Sequence, residues 1–504
     1  MIDHKTKQQL WWLLAACLAL IFIVIKPWQL YYLNDDFMHI PDARLWLRSG
    51  FMRPVPNVFL WLDKQLFGKA ALGFFATTML LQTACVFGVY FFTRKIGFLY
   101  LKPLPVGDLA FVTALLFLVY PWHAEAMMWV ISRVSIMACL FTLGSFYFYV
   151  DAAHKPTRLL ASVLLFLLAL FSYESMWSAI LFFGLFSLLN VKQGYATKKQ
   201  EALNFGCVAL VFAAYLALRV AVLSTLAGDG YDQINENLGR YALLLQNGIK
   251  LFGRIFTPPF ANSMYFGVCF AALLLVLMGL LWWARKKSKL AFWTLIVAMV
   301  GMAAGVVTAA PLGIDTHYNE SERYLYYASY FYCFFLGLSI VVLLRQKQQQ
   351  VAVVAIVAVF VALLLNLQGN YRFASAITRT TMQTVAKYPQ YQRAIFVDAP
   401  TKYKGSMVFR ICLPHGVRWI NPEVQYDSIA VFSQDSTVQR HWPYLSGEVG
   451  WNSLATEKGW PQNLAVMPGA AVPDTLSGRD VVFWFRPNGI FKVNFKAPPP
   501  QTPE

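Results

Sequence analysis

Long apolar runs decide what this chain can fold into. A helix needs about 20 mostly apolar residues to cross a bilayer. Eleven runs near that length fall at about 10–30, 70–92, 108–120, 134–150, 159–172, 175–190, 202–222, 265–284, 290–310, 324–344 and 350–367. Of the 504 residues 58% are hydrophobic and 13% charged, about half the usual charged share, and the apolar residues cluster rather than alternate. The pattern predicts a polytopic α-helical membrane protein with about eleven transmembrane helices.

Charge then sets orientation. With the N-terminus cytoplasmic, every inward loop is compact and basic: "HKTK", "TRKIGFLYLK", "HKPTR", "VKQGYATKK", "RKKSK" and "RQK". The first run has no small-residue cleavage site after it and is expected to stay as an anchor. Much of the net charge of +17 is topogenic by this count, so it argues for no nucleic-acid partner. Six of the seven cysteines lie in or beside apolar runs, and only Cys412 belongs to the C-terminal tail. That excludes a disulfide within the tail, and no Cys/His zinc spacing is present.

Composition changes at about Gly369. Residues 1–368 are assigned to the membrane domain and 369–504 to a small β-rich domain outside the cytoplasm, ending in a disordered "APPPQTPE" tail. Its expected strands are "RAIFVD", "SMVFRICL", "DSIAVFS" and "DVVFWF", with a hairpin turn at Asn488-Gly489. An interfacial amphipathic helix is expected in the first outward loop, where Arg44, Arg48 and Arg53 mix with aromatic residues.

The outward loops gather carboxylates and arginines at the membrane boundary: "NDDF", "FMRPVPN", "YPWHAEAMMWVISRVS", "FSYES" and "THYNESERYLYYAS". Sugar transfer from a polyprenyl phosphate needs this set. Its leaving group is already a stable anion, which calls for charge stabilisation by an arginine fork rather than a general acid. The acceptor hydroxyl needs one positioned carboxylate as base. By default an acid pair in a loop is hydrated and an arginine at a span end snorkels, and Arg219 is read in that way. Glu174 resists the default, because "FSYES" is a tight turn where a carboxylate must find water or a partner.

In order, these pieces resemble the GT-C superfamily of polyprenyl-phosphate-sugar-dependent glycosyltransferases. The nearest likeness is to the membrane half of the transmembrane and tetratricopeptide-repeat O-mannosyltransferases and their bacterial relatives. "NDDF", "FMRPVPNVFLWLDKQLFG", "FSYES" and "SERYLYYASYFYCFFLG" each match a family segment. The most specific match is "YPWHAEAMMWVISRVSIMACLFTLGSFYFY", and coverage is about residues 1–370. The resemblance implies a catalytic base at Asp35 or Asp36 and donor-phosphate arginines at Arg133 and Arg323, with Arg53 the next candidate. It implies inversion at the sugar, and His123, Glu125, Glu174 and Glu322 as substrate-binding or supporting residues. No cofactor is required; a divalent metal is compatible but not indicated. Three departures stand out: Tyr173 replaces the family's Lys, Ser135 replaces its Asp, and no tetratricopeptide repeats follow.

The expected partners are a polyprenyl-phosphate-linked sugar, the lipid bilayer, and an acceptor glycan, lipid or protein. The expected location is a bacterial cytoplasmic membrane with the site outside. Two other activities fit the same residues: an envelope polysaccharide ligase or polymerase, and a lipid-linked-sugar transporter, which calls for broken helices in repeated positions.

Overall fold

The computed structural model describes residues 3–42, 51–102, 104–224, 232–260, 262–397, 399–410, 412–432, 479–486 and 489–493. Arg44, Arg48, Asn488 and the "APPPQTPE" tail lie outside them. The chain divides into two compact units: Met1–Trp28 with Ala43–Gln368, and Gln29–Asp42 with Gly369–Glu504.

The first unit is helical, and each of the eleven apolar runs is mostly helix. Among the described residues nine helices are long and apolar enough to cross a membrane. A tenth crossing arises if Val106–Val119 and Pro121–Met128, bent by 57° at their break, count as one span. Pro121 explains the break, since it has no N–H to continue the ladder. The run at 159–172 forms Pro156–Leu170, whose 15 residues reach about 22 Å and fall short of a hydrocarbon core of about 30 Å. The eleven runs thus correspond to nine such helices, one bent pair and one short apolar helix. Caps mark several starts. Asp3 accepts from the Thr6 N–H at 2.8 Å, and Thr197 and Gln200 form a reciprocal capping box. In the segment where an interfacial helix was expected, Pro54–Phe67 is helical, beginning on the preset φ of Pro54. In Ser263–Lys287 only 11% of the most apolar window is buried by protein, so lipid must cover the rest.

Gln346–Val385 is one helix of 40 residues, about 60 Å long, and the boundary between the units falls inside it. Helix was expected to stop near Gly369. A single glycine costs a helix only about 1 kcal/mol, and beyond it Tyr371, Ala374, Thr378, Thr381 and Val385 keep a buried stripe at spacings of three and four.

The second unit holds a four-stranded sheet in the order β4-β1-β5-β6, formed by β1 (Arg393–Val397), β4 (Ser428–Phe432), β5 (Asp480–Arg486) and β6 (Gly489–Val493). β1 runs parallel to both β4 and β5, while β5 and β6 pair antiparallel. Consecutive burial of Ala394, Ile395 and Phe396 suits a central strand covered on both faces. "SMVFRICL" departs from its expected strand: among its described residues only β3 (Ser406–Met407) is strand, in a separate two-residue pair with β2 (Lys402–Tyr403). Leu413–Ile420 is a helix with proline at its first turn, and it supplies the crossover that parallel β1 and β4 require.

Gln29–Asp42 belongs with this second unit rather than with the helical one. The Asn34 N–H donates to the Val408 carbonyl at 2.7 Å, and Arg379 donates to the Leu30 carbonyl at 2.9 Å. The Tyr32 ring lies 4.9 Å from Trp419, and Phe37 lies against both Trp419 and Phe409.

Candidate active site

Glu174 opens the 3-10 turn Glu174–Ala179, and it meets two arginines from distant parts of the first unit. Arg53, held just ahead of Pro54, donates from Nε at 3.0 Å and from a terminal nitrogen at 2.7 Å, both to Oε2. Arg219 donates to Oε1 at 3.0 Å. The Arg53 guanidinium also lies 4.6 Å from the Tyr173 ring centre, so the residue that replaces the family's Lys supplies an aromatic face to an arginine. Arg219 lies 5.6 Å from the Trp177 ring. Two guanidinium charges thus meet one carboxylate. The side chains of Arg53 and Glu174 are 16% and 15% exposed, and that of Arg219 is 1% exposed.

Arg133 is placed differently from the expectation. Its guanidinium is buried against Asp63 at 2.5 Å, and Asp63 also accepts from Thr77 at 2.8 Å. Asp63 supplies the charge that Ser135 lacks, while Ser135 turns back to the Ser132 carbonyl at 2.9 Å. This buried pair ties Pro54–Phe67 to the turn Val130–Arg133. Glu322 is also withdrawn: with Arg254 at 2.6 Å it forms a pair in which both side chains are 0% exposed, roofed by Trp122 at 4.8 Å. Arg323 remains 22% exposed. It pairs through its guanidinium and its backbone N–H with Glu125, and lies 5.2 Å from the Trp129 ring. His123 is a core residue, with Nε2 at 2.7 Å from the Ser329 hydroxyl and its ring stacked 4.1 Å from Tyr326. Among the described residues no cluster of three or more His, Cys, Asp or Glu is arranged to hold a metal ion.

In the second unit the acid pair separates by environment. Asn34 adopts φ +41°, a left-handed conformation that Asn tolerates better than most residues. Asp36 then turns inward, 0% exposed, and accepts the Leu33 N–H at 2.9 Å. Asp35 stays half-buried, with Oδ1 at 3.6 Å from the Cys412 thiol. Burial first, and then the charge of Asp35, push that thiol well above the ordinary range, so it stays protonated and donates. Asp35 is thus the acid with access to solvent, and Asp36 shapes the loop that carries it.

Sequence reasoning passed over Asp63 and Arg254 and read Arg219 as a snorkelling residue. A signal was available. Each lies on its helix's buried stripe: Pro56, Leu60 and Asp63; Tyr215 and Arg219; Asn247, Leu251 and Arg254. A charge at an apolar stripe position must find a partner.

No protein-family model and no curated protein sequence matches the chain. Among solved structures, the chain is similar to the Archaeoglobus fulgidus oligosaccharyltransferase tethered to an acceptor peptide containing the NVT sequon. The identity is 11% and the TM-score 0.44, over 84% of this chain and 63% of that one, which is less than two thirds of its length. It is similar to ArnT from Cupriavidus metallidurans bound to undecaprenyl phosphate, at 12% identity and TM-score 0.48, over 86% and 87% of the two chains. The apo state of that ArnT gives 12% and 0.38 over 87% and 89%.

Proposed function

We propose, from the chain's own residues, that this protein is an inverting membrane glycosyltransferase that moves a sugar from a polyprenyl-phosphate donor to an acceptor hydroxyl outside the cytoplasm. The observation that carries the reading is the meeting of Arg53 and Arg219 on Glu174. Arginine forks match phosphate oxygens, and a carboxylate between two of them holds the guanidiniums in place before an anion arrives. Arg323 is the second candidate for the phosphate, with Glu125 orienting it. Arg133 takes no part in this assignment, because it is buried on Asp63.

In the reaction, Asp35 removes the acceptor's hydroxyl proton as that oxygen bonds to the anomeric carbon from the face opposite the phosphate. The carbon–oxygen bond to phosphate breaks, and polyprenyl phosphate leaves as the anion. A transporter reading receives less support, because the described residues contain one bent helix pair and no counterpart in a repeated position.

Reconstituted protein offered radiolabelled polyprenyl-phosphate sugars should consume at least one donor. Lysine at Arg53 or Arg219 keeps the charge but loses the fork. Each variant should weaken donor binding by about 1.5–3 kcal/mol, the range for hydrogen bonds to charged groups. Unchanged affinity in both variants would move the phosphate to Arg323. No consumption of any donor would remove the transferase reading.

Because basic residues mark alternate loops, the second unit is placed outside the cytoplasm in this proposal. An alkaline phosphatase fusion after Glu504 should be active and one within "RKKSK" inactive. The opposite result would reverse the orientation.

A further inference from the structure

A second feature of the helical unit lies away from the arginine cluster. Glu174 begins the span Glu174–Lys192, and near its far end is a cavity of about 510 Å³, within the size range of small-molecule sites. Phe182, Phe186, Trp293, Val297, Phe331 and Phe334 form its apolar wall. Its mouth carries Lys192, Gln193 and Lys289, all exposed, and no carboxylate lines it among the described residues.

We infer that this groove binds an anionic glycerophospholipid, with one acyl chain between the helices and the headgroup phosphate at Lys192 and Lys289. Depth supports the chain. From Phe182 to Lys192 the helix rises about 15 Å, half of a hydrocarbon core of about 30 Å, so the apolar wall spans one leaflet. Charge supports the headgroup. Two ammonium groups at the mouth, with no carboxylate in the lining among the described residues, favour a lipid phosphate that keeps a net negative charge over a zwitterionic one. Position supports the source, because the mouth opens at the basic ends of the helices, the cytoplasmic leaflet in the orientation proposed above. The inference does not depend on the transferase reading, since none of these residues belongs to the proposed donor or base assignments.

Native mass spectrometry of the full chain, released from detergent after incubation with phosphatidylglycerol and phosphatidylcholine of matched acyl chains, tests it. One phosphatidylglycerol should be retained in preference to phosphatidylcholine by about tenfold or more, as two lysine contacts imply. The double variant Lys192→Gln/Lys289→Gln, changed only at exposed positions, should bring the two lipids to parity. Val297→Trp should expel both, with the thermal midpoint in detergent showing that the fold is kept. Parity in the parent, or a preference that survives in the double variant, overturns the proposal. So does displacement of phosphatidylglycerol by equimolar polyprenyl phosphate.

Discussion

Asp35→Asn is expected to lower sugar transfer by about 100-fold or more while folding and donor binding persist, the scale of a lost general base. Geometry separates this residue from its neighbour. Asp36 is buried on the Leu33 N–H, whereas Asp35 is half-buried and accepts from the protonated Cys412 thiol. Asparagine at Asp36 still offers an oxygen to Leu33, so Asp36→Asn should cost transfer much less than Asp35→Asn. Rates should be measured in detergent micelles with donor affinity determined separately. Parent-rate transfer by both single variants and by the double variant would make the pair structural loop residues and end this mechanism.

The largest stability effect is expected at Arg254 and Glu322. Neither side chain touches solvent, and the guanidinium also donates to the Asp315 carbonyl at 3.3 Å and to the Thr257 carbonyl. Removing one partner strands a charge where water cannot reach it, so Arg254→Met alone should destabilise the protein by about 3–5 kcal/mol. Glu322→Leu alone should do the same. Their combination should recover much of the loss, because two apolar groups replace two charges that no longer need each other. Thermal midpoints in one detergent would show the pattern, and additive losses in the double variant would argue against a mutually dependent pair. The same reasoning assigns Glu322 a packing role, where the sequence motif had suggested substrate support.

How far the sequence could be read depended on distance along the chain. The eleven apolar runs are local properties, and each is mostly helix. Span number was less secure, since Pro121 bends one run and Pro156–Leu170 stops short of a bilayer's thickness. The extension of the last helix past Gly369 was recoverable from the stripe that begins at Tyr371. Strands were legible where β-favouring residues were uninterrupted, as in β1, β4 and β5. "SMVFRICL" misled because Pro414 suits a helix start as well as it interrupts a strand.

At the candidate site, the residue types were legible and their partners were not. "NDDF", "FSYES" and "SERYLYY" mark carboxylates and arginines near span ends, because a costly charge beside lipid stands out against apolar neighbours. Yet Arg53 meets Glu174 across 121 positions and Arg254 meets Glu322 across 68. Asp35 reaches Cys412 across 377. Local pattern thus determines that this chain is a helical membrane protein with acids and arginines at its boundaries, because hydrophobicity and charge act residue by residue. Tertiary packing alone decides that Arg133 is locked on Asp63, that Arg219 joins Arg53 on Glu174, and that Asp36 is buried while Asp35 is half-buried. The reason is physical: a buried charge is satisfied by whichever opposite charge the fold brings within hydrogen-bonding distance, and sequence separation does not limit that choice.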